Sequence, residues 1–169
     1  MGSDENWEAS DELRQFIRGL LTPGSTILEL GSGTGTAKLA ENYEMISIEH
    51  DERFVGRYKS RYIHAPIQPF RKPCSLFTDD TGWYNREVLR RELPGLKYQL
   101  ILVDGPPNSF GRGGFYKWKE LFNFTVPIIF DDVHRRRETT LIQRVSAHLK
   151  RPYTVHSAWT PKHFGVILP

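Results

Sequence analysis

Apolar residues recur in two rhythms along this chain. Leu13, Phe16, Ile17, Leu20 and Leu21 keep helical spacing and predict an amphipathic helix over 10–21. Ser10 precedes Asp11 and Glu12 as a candidate N-cap, and Pro23-Gly24 stops the helix. Short apolar runs at 26–30, 45–49, 98–103 and 126–130 read as buried strands, with a further short strand at 61–65. Helices are expected between them, over 37–42, 51–60, 85–93, 116–122 and 136–149, the last with Leu141, Ile142, Val145 and Leu149 inward. Pro66, Pro69 and Pro73 predict an irregular segment. Two strands, 153–158 and 163–168, end the pattern as a hairpin joined through Thr160-Pro161-Lys162. This alternation predicts an α/β domain with a mainly parallel sheet and one antiparallel strand from the hairpin.

The 169 residues suit a single domain over 1–169, with 1–9 expected to be disordered or tag-derived. No apolar run approaches the ~20 residues of a membrane span, so no membrane partner is expected. The polar, acidic start does not read as a secretory signal. The single cysteine, Cys74, excludes a disulfide framework within the chain, and a cytoplasmic setting is expected. Charge is uneven. Residues 1–52 hold 3 Lys/Arg against 11 Asp/Glu, and residues 53–169 hold 20 against 9. Arg135-Arg136-Arg137, Arg90-Arg91 and the four-apart series Arg53, Arg57, Arg61 leave nucleic acid open as a partner, beside a bland solvated surface.

The candidate chemistry gathers at strand ends. Glu29, Glu49, Asp104 and Asp131-Asp132 all close predicted strands, and ligands of open α/β sheets bind at that rim. After the first strand, glycines at 31, 33 and 35 let the backbone turn tightly and approach a ligand. Glu49 follows Gly31 by 18 residues, the spacing at which a second-strand carboxylate receives the hydroxyls of a ribose. A dinucleotide fingerprint needs its third glycine where Thr36 stands. Glu29 would repel a pyrophosphate and suits a cationic amino-acid tail. Both departures point to S-adenosylmethionine over NAD.

Glu29-Leu30-Gly31-Ser32-Gly33-Thr34-Gly35 resembles the first motif of the class I S-adenosylmethionine-dependent methyltransferases. Ile46-Ser47-Ile48-Glu49-His50-Asp51 resembles their second-strand motif. Leu100-Ile101-Leu102-Val103-Asp104-Gly105-Pro106-Pro107 resembles the fourth-strand motif of a bacterial branch. The resemblance spans about residues 13 to 168. It implies a Rossmann-like, doubly wound, seven-stranded sheet with the last strand antiparallel, in three α/β/α layers. It implies that Gly31, Ser32, Gly33, Gly35 and Thr36 pass under the cofactor, with Glu29 and Asp104 nearby. Glu49 would hold the ribose and His50 would lie beside the adenine, with Pro66 and Ile67 on its other side. Many relatives carry an acid after the third strand, and this chain has none there.

A narrower resemblance links Asp104, Asp131 and Asp132 to metal-dependent O-methyltransferases, where such acids hold Mg2+ or Ca2+ against an acceptor hydroxyl. Asp104 and His134 are the candidate catalytic residues, His134 as a general base. The loop 106–115 reads as an acceptor lid whose glycines permit movement, with Arg112 either meeting an anionic acceptor or solvated. Trp83 and Tyr84 are expected on the core, with stacking on substrate as the alternative. The resulting expectation is a methyl transferase for an oxygen of a small-molecule acceptor. An RNA or protein methyltransferase, a non-catalytic cofactor-binding protein and an NAD oxidoreductase stand as rivals.

Overall fold

The computed structural model describes residues 10–71, 77–157 and 162–169. Helix α1, Asp11–Leu20, begins where the Leu13 N–H donates to Ser10 Oγ at 3.2 Å. Strand β1 (Thr26–Leu30) leads into α2 (Thr34–Leu39), and β2 (Glu44–Glu49) and β3 (Arg61–His64) follow. A small antiparallel pair, β4 (Ile67–Pro69) and β5 (Gly82–Tyr84), precedes α3 (Arg86–Glu92), whose N-cap is Asn85. Then come β6 (Leu100–Val103), α4 (Gly114–Lys117), β7 (Ile128–Phe130), α5 (Arg136–Leu149), β8 (Tyr153–Ser157) and β9 (His163–Ile167).

The main sheet has seven strands in the order β3-β2-β1-β6-β7-β9-β8. β3, β2, β1, β6 and β7 pair in parallel, and β9 runs antiparallel to both neighbours. Strand alternation sorts the apolar side chains into two cores, one on each face of the sheet. Ile27, Met45, Leu100, Leu102, Ile129 and Val166 pack with Leu13, Ile17 and Leu39 of α1 and α2. Leu28, Leu30, Ile101, Val103, Ile128 and Phe130 pack with Leu89, Phe115, Leu141, Ile142 and Val145 of α3, α4 and α5. The result is the expected doubly wound, three-layer α/β/α fold.

Several elements differ from the sequence pattern. Residues 51–60 form successive turns and no helix. Glu49 Oε1 accepts the N–H groups of His50 and Asp51 at 2.6 and 2.8 Å, and Asp51 Oδ1 accepts that of Arg53 at 3.0 Å. The segment's own backbone bonds close i→i+3 turns, Phe54 N–H to Asp51 O, Val55 N–H to Glu52 O and Arg57 N–H to Phe54 O, and Gly56 turns the chain at φ 78°. Arg53, Arg57 and Arg61 therefore share no helix face. Arg53 pairs with Asp51, Arg57 lies over Phe54 and Tyr58, and Arg61 opens β3.

Helix α2 starts three residues earlier than expected, because Gly33 N–H and Thr36 Oγ1 close its first turn at 3.0 Å. The proline-rich segment contributes a strand, β4, and 116–122 splits between the end of α4 and a 3₁₀ turn at Lys119–Leu121. Trp83 and Tyr84 are fully buried on the core, as expected. Residues 1–9, Pro73, Cys74, Ala158, Thr160 and Pro161 lie outside the described residues.

Candidate functional site

The chain leaves β1 toward β2 on one side and β6 toward β7 on the other, so the switch point of the sheet lies between β1 and β6. There two glycines pack back to back. Gly31 takes φ 92°, and a Cβ on it would stand 3.3 Å from Gly105 Cα. Gly31 N–H donates to Ile48 O at 2.9 Å, and Asp104 N–H donates to Leu30 O at 3.2 Å. The ladder thus continues past the strands and fixes the rim where the acids stand.

Glu29 pairs in register with Ser47 of β2 and Leu102 of β6, on the α1/α2 side of the sheet. It is 3% exposed. Thr36 Oγ1 and Ser47 Oγ donate to its Oε2 at 2.8 and 3.0 Å. Burial pushes its carboxyl up to about 8, with the nearby Asp104 and Glu49 charges in support. At neutral pH Glu29 therefore holds a proton. Thr36 is itself fully buried, and its hydroxyl is committed to Glu29 and Gly33. Ser32 Oγ lies 2.9 Å from Tyr62 Oη and 3.3 Å from Thr36 Oγ1, tying the glycine turn to β3.

Glu49, also 3% exposed, ends β2. Its Oε1 receives His50 Nδ1 at 2.7 Å besides the two loop N–H groups. The His50 ring stands edge-on to Phe110 at 5.6 Å and to Tyr84 at 6.4 Å. These rings make an aromatic wall beside the ends of β1, β2 and β6. The buried Tyr84 hydroxyl finds no hydrogen-bond partner among the described residues. Burial first, then Glu49, raises its pKa well above the usual phenol value. The sequence pattern places Phe110 only within the lid 106–115 and Tyr84 on the core ahead of the substrate, and assigns neither to the cofactor. Pro66 and Ile67 lie at the β4 end, where Pro66 O accepts Asn85 N–H at 2.9 Å and Ile67 pairs with Tyr84.

The structure brings Asp104, Asp131 and Asp132 together, each offering one oxygen within 4.8 Å of the others. Asp131 N–H donates to Val103 O, which continues the rim from β6 to β7. Asp132 takes φ 61°, which an aspartate tolerates, and its N–H donates to Asp131 Oδ1 at 2.9 Å. An arginine stands among these acids. Arg112, 5% exposed, donates from Nη2 to Asp104 Oδ1 at 3.3 Å and to Asp132 Oδ2 at 3.2 Å. Its Nη1 reaches Asp131 O at 3.1 Å, its Nε reaches Pro106 O at 3.4 Å, and Glu138 Oε1 is 4.0 Å from Nε. Arg135 adds a second guanidinium to Asp132 Oδ2 at 2.8 Å. The expectation of Mg2+ on these aspartates thus meets Asp104 and Asp132 already bound to guanidinium groups, and with Arg112 in place the set does not fit the ion. Arg112 is buried, which corrects the reading of it as a solvated loop arginine. Burial pushes Asp131 up to about 7 and also raises Asp104, whose side chain is 30% exposed.

The loop 106–115 is held, and its glycines serve close packing. Gly113 N–H donates to Asp80 Oδ2 at 2.6 Å, and Asp80 is 5% exposed. Gly111 sits at φ 84° directly against the same carboxylate, where a Cβ would clash. Thr81 N–H donates to Phe110 O at 2.9 Å, and Arg137 Nη1 donates to Asn108 O at 2.8 Å. His134 is exposed, and its Nδ1 accepts the His163 N–H at 3.4 Å.

No family model matches the chain, and no curated protein sequence matches it. Solved structures do. A precorrin-6Y C5,15-methyltransferase from Geobacter metallireducens covers 98% of this chain and 92% of its own at 10% identity, with a TM-score of 0.60. An rRNA methylase from Streptococcus thermophilus covers 91% and 92% at 13% identity and 0.52. Fibrillarin from Aeropyrum pernix, in complex with natively bound S-adenosyl-L-methionine, covers 96% and 76% at 12% identity and 0.54. Among the described residues no helix is long and apolar enough to cross a membrane. Over nearly its whole length the chain shares the fold of these solved structures, methyltransferases among them.

Proposed function

We propose that this chain transfers a methyl group from S-adenosylmethionine to an oxygen of a small-molecule acceptor. The observation that carries the reading is the switch point itself. There a left-handed glycine turn, a buried carboxylate at the end of β2 and a partly exposed carboxylate just past β6 meet at one rim of the sheet.

The residues fit this cofactor. Gly31 and Gly105 let the turns after β1 and β6 meet backbone to backbone, and the unpartnered Tyr84 hydroxyl beside Gly105 marks a polar requirement there. Glu49 is assigned to the ribose hydroxyls, His50, Phe110 and Ile67 to the adenine, and the turn residues Gly31, Ser32, Gly33 and Gly35 to the backbone cradle. When bound, the cofactor supplies an electrophilic methyl group on a sulfonium. Asp104 orients the acceptor hydroxyl and takes its proton as the oxygen is methylated, a role its raised pKa favours. His134 is left outside this role, because it is exposed and turned to His163. Transfer then rests on alignment more than on acid–base strength.

A small acceptor is favoured over RNA by the fate of the arginines. Two of the Arg135-Arg136-Arg137 triplet are spent within the chain, on Asp132 and on Asn108.

The test is calorimetric titration with S-adenosylmethionine and S-adenosylhomocysteine, with NAD as control, followed by a methyl-transfer screen over hydroxylated small molecules. Asp104→Asn is expected to keep cofactor affinity and to lower turnover by about 10²–10⁴-fold. Absence of cofactor binding in the native chain overturns the reading. Tight cofactor binding without turnover on any acceptor class points instead to a non-catalytic binding protein.

A further inference from the structure

We infer that Arg112 is the resident cation of the acidic rim, so that the acceptor side of this site works on an arginine where a divalent ion would otherwise sit. The inference rests on the proposed reaction only in taking Asp104 as the acceptor-facing group.

The geometry is specific. Three carboxylates converge within 4.8 Å, a spacing suited to a hard cation held at about 2.0–2.6 Å from each oxygen. Arg112 Nη2 already bridges two of them, Asp104 and Asp132, at 3.3 and 3.2 Å. An ion within coordination distance of both oxygens would press against this nitrogen, charge against charge. The arginine is not a passing visitor from a surface loop. Asp131 O and Pro106 O accept two further N–H groups, and Glu138 from α5 lies alongside. Its neighbours Gly111 and Gly113 pack against Asp80, which locks the backbone that carries it. Five donors in a fixed fork match two carboxylates and two carbonyls in a way that one spherical ion does not require.

The consequence is a division of labour. Asp132 Oδ2 and the carbonyls of Asp131 and Pro106 hold Arg112, and Arg112 holds Asp104 by Oδ1. Arg112 is thus a positioning residue for Asp104, and acceptors need no pair of adjacent oxygens to chelate an ion.

The experiment is a Mn2+ titration of the full chain, without cofactor or acceptor, read by water-proton relaxation. The native chain is expected to show no saturable binding, or only binding that Asp131→Asn leaves unchanged and that therefore lies elsewhere. Arg112→Ala is expected to gain a site at least about tenfold tighter than any native binding, which Asp131→Asn then removes. Saturable native binding that Asp131→Asn abolishes overturns the inference, and this arm stands even if Arg112→Ala does not fold. A folded Arg112→Ala chain that gains no site overturns it as well. Cofactor affinity enters neither arm, so failure here is separable from failure of the methyl-transfer reading.

Discussion

A Cβ placed on Gly105 would stand 2.8 Å from the Cα of Gly31 and would also strike the Tyr84 hydroxyl. The loops after β1 and β6 are therefore in backbone contact, with no side chain between them. Gly105→Ala is expected to force them apart, at a cost of about 1–3 kcal/mol in stability, and to remove most cofactor affinity. Chemical denaturation and calorimetry on the same sample check both effects. Native-like binding by Gly105→Ala would show that this contact is not the cofactor floor.

Glu29 sets a pH dependence whose sign is definite. Its carboxyl titrates at about 8 in the folded chain against an ordinary 4.5. The folded chain thus keeps a proton that the unfolded chain releases. This contribution is complete below about pH 4.5 and is lost as pH rises through about 8. Glu29→Gln keeps an oxygen for Thr36 and Ser47 and has nothing to lose. The variant is expected to gain on the native chain as pH rises, by up to about 5 kcal/mol at the top of the range. Urea midpoints of both chains at several pH values give the difference directly. Parallel profiles refute the assignment.

Asp80 is the clamp of the Arg112 loop. Asp80→Ala leaves the Gly113 N–H without its carboxylate, a loss of about 1–3 kcal/mol. The loop 106–113 is expected to exchange its amide protons faster and to become a site of proteolysis, while β1 and β2 keep their protection. Uniform loss of protection would mean that Asp80 supports the whole fold instead.

Glu49→Ala is expected to weaken S-adenosylhomocysteine binding by about 1–3 kcal/mol. Glu49→Gln retains an acceptor for the His50 and Asp51 N–H groups, so it separates loop support from ribose contact. Equal affinity in the native chain and both variants argues against the ribose role.

Much of this was legible in the sequence, and the reasons are local. Ser10, the apolar stripe of α1 and the bounds of α5 follow from spacing and caps within a few residues. Acids at the ends of four strands, and the glycine turn, mark the rim in the sequence alone. The misread parts depend on distant partners or on turn geometry. Residues 51–60 have helical spacing, but their backbone bonds close i→i+3 turns and Gly56 takes φ 78°. Arg112 meets Asp104 and Asp132 from 8 and 20 residues away, and Asp80 meets Gly113 from 33. One signal was present: an arginine flanked by Gly111 and Gly113 is a side chain around which the backbone must pack closely. The pairing of β4 with β5 spans segments that share no pattern beyond short apolar stretches.

The position of β9 between β7 and β8 bears on how the molecule is made. β7 is three apolar residues, and its outer ladder is covered only when residues 163–167 arrive. The turn that carries Asp131 and Asp132 waits for the same event, since Val133 N–H donates to His163 O at 2.8 Å. On a translating ribosome, β1, β2 and β6 can assemble while β7 still offers an open, sticky edge. The cofactor half of the rim can thus be ready before the acceptor half exists, and a nascent chain stalled short of β9 would be the form most prone to pair with its neighbours.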